Sequence, residues 1–108
     1  MKPWQRDQLH RALELRREVL LGELSREAAL HREVGATDAI TDAAEDADAL
    51  RDLAELRDIE AARQRAIEGR YGICTGCGAD IGFERLHAEP EAARCIECQR
   101  RHEKTYRA

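Results

Sequence analysis

The chain has 108 residues, of which 37% are charged and 4% aromatic, and a formal net charge of -4. That length suits one folding unit, and the balance starves a globular core while favouring long solvated helices and an elongated shape. No apolar run approaches the ~18–20 residues that span a bilayer, and the start, Met1-Lys2-Pro3-Trp4-Gln5-Arg6, lacks a signal-peptide core, so the expectation is a cytoplasmic protein with no membrane segment.

From Pro3 to about Val34 the only helix breaker is Gly22, and Leu9, Leu13, Leu20, Leu24, Ala28 and His31 recur at mostly helical spacing. This predicts a long amphipathic helix. A second stripe, Ala12, Leu15 and Val19, predicts burial on another side, and Trp4 is expected to pack into that contact. Gly35 suits the left-handed residue that ends a helix, and residues 35–41 are short enough to turn the chain back. Asp42 followed by Glu45 has the form of a capping box, so a second helix is expected from near Asp42 to about Glu68, where Gly69 stops it. Its seam is read as Leu53, Leu56 and Ile67, with Ala47, Leu50, Ala54 and Ala61 beside it. Two arms joined by a short turn imply an antiparallel hairpin over residues 1–68.

After Gly69 the texture changes. All four cysteines lie here, in Cys74-Thr75-Gly76-Cys77 and Cys95-Ile96-Glu97-Cys98. Two Cys-x-x-Cys pairs at this separation fit two knuckles that close one tetrahedral zinc site, and four thiolates leave no open position for catalysis. The metal is therefore expected to be one structural zinc ion on Cys74, Cys77, Cys95 and Cys98. Disulfides suit a secreted chain, and thioredoxin-like chemistry needs a βαβ unit that is missing here. His87 and His102 are near enough in sequence to act as ligands, but packing or solvated roles are expected for them. About forty residues cannot bury enough apolar surface alone, so residues 69–108, a zinc module with a terminal helix, should fold only with metal. The fold class is thus mainly α, a long antiparallel helical hairpin in coiled-coil style followed by a four-cysteine zinc-finger module.

Residues 38–60 hold nine acidic side chains against Arg51 and Arg57, and basic residues gather instead at Arg94, Arg100, Arg101, Lys104 and Arg107. An acidic hairpin repels phosphate, so a protein partner is expected and sequence-specific DNA binding is not. No nucleophile-base pair or phosphate loop is present, which argues against an enzyme.

Tyr71-Gly72, Cys77-Gly78, Ile81, Arg85-Leu86, Ala88, Pro90 and Cys95 through Cys98-Gln99, preceded by a helical hairpin, resemble the DksA/TraR family of bacterial transcription regulators. The resemblance implies a monomer that binds RNA polymerase, inserts its hairpin through the secondary channel and alters initiation. It also implies the nucleotide ppGpp as a co-regulator at a site shared with polymerase. The family's tip signature, Asp-x-x-Asp-x-Ala, has its nearest counterpart in Asp42, Glu45 and Ala47, with Glu in place of the second Asp; Asp38 is the rival under another alignment. Two other readings stand beside this one: a zinc-ribbon module for nucleic acid, built on the basic tail, and a thiol-based redox sensor in which oxidant displaces zinc.

Overall fold

The computed structural model describes residues 1–33 and 47–106. The expected turn at 35–41, the Gly35 terminus, the capping box of Asp42 and Glu45, and the tip residue Asp38 lie outside the described residues. Among those described there are four helices: α1 (Pro3–Glu33), α2 (Ala47–Ile67), α3 (Phe83–Ala88) and α4 (Ile96–Tyr106). The only strand-like pairing among them is an isolated antiparallel bridge between Ile73 and Asp80.

The start of α1 follows from its sequence. Pro3 sits at the first helical position, where its missing N–H costs nothing, and the Gln5 side chain accepts a 2.9 Å hydrogen bond from the Lys2 backbone N–H. The end of α2 is equally local. Gly69 adopts φ +75°, the Arg70 N–H reaches the Arg65 carbonyl at 2.8 Å, and the Gly69 N–H reaches the Ala66 carbonyl at 3.2 Å. These two bonds form a Schellman cap, which needs a residue free of Cβ strain at its left-handed position.

Helices α1 and α2 pack antiparallel, because Glu14 meets Arg63 while Arg17 meets Glu60 and Arg16 meets Glu55. Leu9, Leu13 and Leu20 of α1 are fully buried against Ile59 and Ala62 of α2, with Leu56 and Ala66 beside them. Large side chains on one helix thus meet mostly small ones on the other, which brings the backbones close. The hairpin core continues without a break into Tyr71, Cys74, Ile81, Leu86 and Ala92 of the zinc module. The radius of gyration is 16.4 Å, against about 13 Å for a globule of this length, so the molecule is elongated.

Three expectations about packing need correction. The second stripe of α1 is not buried: Leu15 is 58% exposed and Val19 is also exposed, since the α2 seam covers only the Leu9-Leu13-Leu20 face. Trp4 does not enter a core; it is 57% exposed and lies edge-on to Phe83, at 5.8 Å between ring centroids. The α2 seam is not Leu53 and Ile67, of which Ile67 is 79% exposed, but Ala49, Leu56, Ile59, Ala62 and Ala66. Helical geometry puts residues three and four apart on one face, and that face here carries small residues.

Candidate metal centre

The first knuckle is built by short-range backbone bonds. The Cys74 N–H donates to the Ala79 carbonyl at 2.8 Å, the Gly78 N–H returns to the Cys74 carbonyl at 2.9 Å, and the Ile81 N–H reaches the Gly72 carbonyl at 2.9 Å. Gly76 is needed for space rather than for φ, because a Cβ there would lie 3.1 Å from the Cys98 sulfur. The second knuckle is the start of α4. Cys95 immediately precedes the helix, its carbonyl accepts the Gln99 N–H at 2.9 Å, and Cys98 stands in the first turn. Two of the sulfurs therefore sit at the positive end of a helix, which favours thiolate.

The structure brings together all four cysteines that the spacing singled out. Their sulfur atoms lie within 4.8 Å of one another, and none is in a disulfide. The Cys77 and Cys95 sulfurs are 3.8 Å apart. A tetrahedron with Zn–S bonds of about 2.3 Å has edges of about 3.8 Å, so the spacing fits zinc and is far from the ~2.05 Å of a disulfide. No histidine among the described residues joins the group. His87 is exposed and lies against Phe83, while His10 packs edge-on to Tyr71 at 5.2 Å.

Crowded thiols titrate apart. Cys74 is drawn down to about 6, first by a backbone hydrogen bond at Cys95 and also by those of Cys77 and Gly76, the Gly76 N–H standing 3.3 Å from its sulfur. Cys98 is pushed up to about 12 by sharing hydrogen bonds with Cys95 and Cys74. Cys74 is thus the readiest thiolate of the group, whereas Cys98 gives up its shared proton only when a cation takes its place.

Residues 90–94, which lead into the second knuckle, carry no regular structure, and their carbonyls are held from several elements. The Tyr71 hydroxyl donates to the Pro90 carbonyl at 2.9 Å, and Arg65 of α2 reaches the Glu91 carbonyl at 3.5 Å. The Thr75 N–H and hydroxyl both donate to Ala93, at 2.8 and 3.1 Å, and Arg85 of α3 donates to Arg94 at 2.9 Å. Tyr71 and Arg85 stand in the string that resembles the family, but neither their contacts nor that of Arg65 could be read from the residues. Their targets are main-chain carbonyls, which leave no residue pattern to read.

A helical hairpin whose core runs into a four-cysteine knuckle defines a class, and the comparisons agree. Residues 69–104 match the prokaryotic dksA/traR C4-type zinc finger, and the chain is DksA/TraR-like in sequence and in fold. The RNA polymerase-binding transcription factor DksA of Caulobacter vibrioides is 43% identical over 49 residues, covering 45% of this chain and 34% of that protein. The protein of the same name from Escherichia coli K12 is 36% identical over 44 residues, 41% of this chain and 29% of that one. The match thus spans about a third of the length of these curated relatives. The transcription factor DksA2 of Pseudomonas aeruginosa superposes with a TM-score of 0.78 at 27% identity, covering 100% of this chain and 90% of that chain.

Proposed function

We propose that this chain is a non-enzymatic transcription regulator that binds bacterial RNA polymerase in the cytoplasm and modulates initiation through the secondary channel. The observation that carries the reading is the superposition of the whole chain, hairpin and zinc module together, on a transcription factor of this class. Cys74, Cys77, Cys95 and Cys98 each supply one thiolate to a single structural zinc, which fixes the module on the hairpin base and so sets the direction in which the hairpin projects. The regulator acts as a monomer, without reading DNA sequence. Charge supports this: Arg101 of the basic tail is within ion-pair distance of Glu97, and residues 38–60 hold nine acidic side chains against Arg51 and Arg57.

Asp42, Glu45 and Ala47, or Asp38 in the other register, form the acting tip in this reading, where carboxylates would act on a metal-bearing catalytic centre through strong local fields. A co-regulating ppGpp would bind only with polymerase present. On this chain, Arg65, Arg85, Arg94 and Arg100 line a cleft together with Asp58, Glu89, Glu91 and Glu103, so its own charge is balanced. The test is initiation from a purified polymerase in vitro. Asp42→Asn with Glu45→Gln should leave polymerase affinity unchanged and abolish the effect on initiation; equal loss of both would mean that these carboxylates stabilise the hairpin instead.

A further inference from the structure

The sequence pattern predicts a second buried stripe on α1, and the structure leaves that stripe exposed at Leu15 and Val19. It runs along much of the helix. Trp4, Arg11 and Glu18 follow one another at seven-residue spacing, and Gln8, Leu15 and Gly22 make a parallel row four residues on, with Arg26 in the next turn. Seven residues are close to two helical turns, so both rows lie on one face, turned away from the buried Leu9-Leu13-Leu20 seam. Gly22 has no neighbour within 4 Å of where a Cβ would stand, so its missing side chain serves no contact among the described residues. The charges on this face are likewise unpaired. Arg11, Glu18 and Arg26 make no ion pair among the described residues, whereas Glu14, Arg16 and Arg17 all pair with α2.

We propose that this outer face of α1 is an interface with a second copy of the chain, packed antiparallel about a two-fold axis beside Leu15. The face is complementary to itself in that arrangement. Leu15 meets Leu15 of the other copy at the axis. On either side, Arg11 of each copy comes beside Glu18 of the other, which gives two equivalent ion pairs. Farther out, Gln8 falls opposite Gly22, where the absent side chain lets the helices approach, and the Trp4 ring falls opposite the Arg26 guanidinium. A parallel pairing would instead set Arg11 against Arg11 and Glu18 against Glu18, and like charges in contact oppose association. A two-fold contact closes on itself, so assembly stops at two copies. One helix face of about five turns buries less than the ~1,200 Å² of a standard interface, so the pair is weak, with a dissociation constant of about 10–100 µM. At lower concentration the chain is single, the form in which it meets polymerase, and the pairing does not depend on that reading.

Sedimentation equilibrium of the zinc-loaded full chain between about 1 and 500 µM tests this. Wild type should pass from monomer to dimer across that range and go no further. Leu15→Glu should weaken pairing by more than about tenfold, since it brings two carboxylates together at the axis. Arg11→Glu and Glu18→Arg should each weaken it by about three- to tenfold at low salt, and the double reversal should return it to within about twofold of wild type. These side chains are exposed, so every variant should keep the helical signal of the wild type in circular dichroism. A wild type still monomeric at about 500 µM would overturn the proposal. So would a dimer indifferent to Leu15→Glu, a double reversal in which the two losses add, or growth beyond the dimer. A monomeric wild type whose binding to core RNA polymerase is weakened by Leu15→Glu would assign the face to polymerase and exclude the second copy.

Discussion

At the scale of single residues, the cysteines differ from one another in ways that matter. Cys74 is buried in the shared core, while Cys77 is exposed. Cys95→Ser should lower zinc content below one per chain and unfold the module, seen as a loss of helical signal from α3 and α4 while α1 and α2 persist. Normal zinc stoichiometry in that variant would contradict the ligand set. Two glycines separate space from backbone conformation. Gly76→Ala pushes a Cβ to within 3.1 Å of the Cys98 sulfur, whereas at Gly78, with φ +76°, a Cβ meets open space but a strained backbone. Chelator competition should therefore show Gly76→Ala weakening zinc binding more than Gly78→Ala, which is limited to a backbone cost of ~1–2 kcal/mol.

Tyr71 contributes a pH dependence on the alkaline side. Burial pushes its phenol up to about 12 from the ordinary value near 10, and its hydroxyl donates to Pro90. A folded-state value above the unfolded one means that this contribution to stability is complete below about pH 10 and is lost as pH rises toward 12. Thermal unfolding should show that loss in the wild type and a smaller one in Tyr71→Phe, which gives up ~0.5–1.5 kcal/mol for the missing hydrogen bond at neutral pH. The metal cluster was legible in the sequence because its four donors fall into two short repeats. The contacts of Tyr71 and Arg65 were not, because what they reach is a main-chain carbonyl 19 and 26 residues away.

At the scale of elements, the hairpin shows what periodicity reveals and what it conceals. Leu9, Leu13 and Leu20 were legible as the buried face of α1, since leucines at helical spacing have few competing explanations. Helix α2 offered several faces of mixed Leu and Ala, and the largest residues pointed to the wrong one. The residues that pack with the α1 leucines are Ile59 and the small Ala62 and Ala66, with Leu56 the one large seam residue that the pattern placed correctly. Leu13→Ala should lower stability by ~2–5 kcal/mol, while Leu15→Ala, on the exposed face, should stay within about 0.5 kcal/mol in denaturant titration. The ion pairs along the hairpin set register more than stability. Arg17→Met and Arg63→Met remove partners of Glu60 and Glu14 that are exposed to water, and each should cost less than about 1 kcal/mol, less still at high salt.

At the scale of the whole molecule, the hairpin and the metal module share one continuous core, so the zinc site does more than hold its own loop. Tyr71, Ile81 and Leu86 belong to the same cluster as Leu9, Leu13 and Ile59. Chelation should therefore lower the unfolding temperature of the entire chain and not only remove the signal of α3 and α4. The overall arrangement of an acidic hairpin on a small metal base was legible from charge distribution, glycine positions and cysteine spacing together. The seating of the module on the base was not, because it depends on side chains meeting main-chain carbonyls and on the edge contact of Trp4 with Phe83.

The most direct test of the account is binding of the purified zinc-loaded chain to bacterial core RNA polymerase in competition with a factor that occupies the secondary channel. Binding should be saturable at micromolar or lower concentration, displaced in full by the competitor and weakened by chelation. Absence of binding in that range, or binding that the competitor leaves untouched, would contradict it.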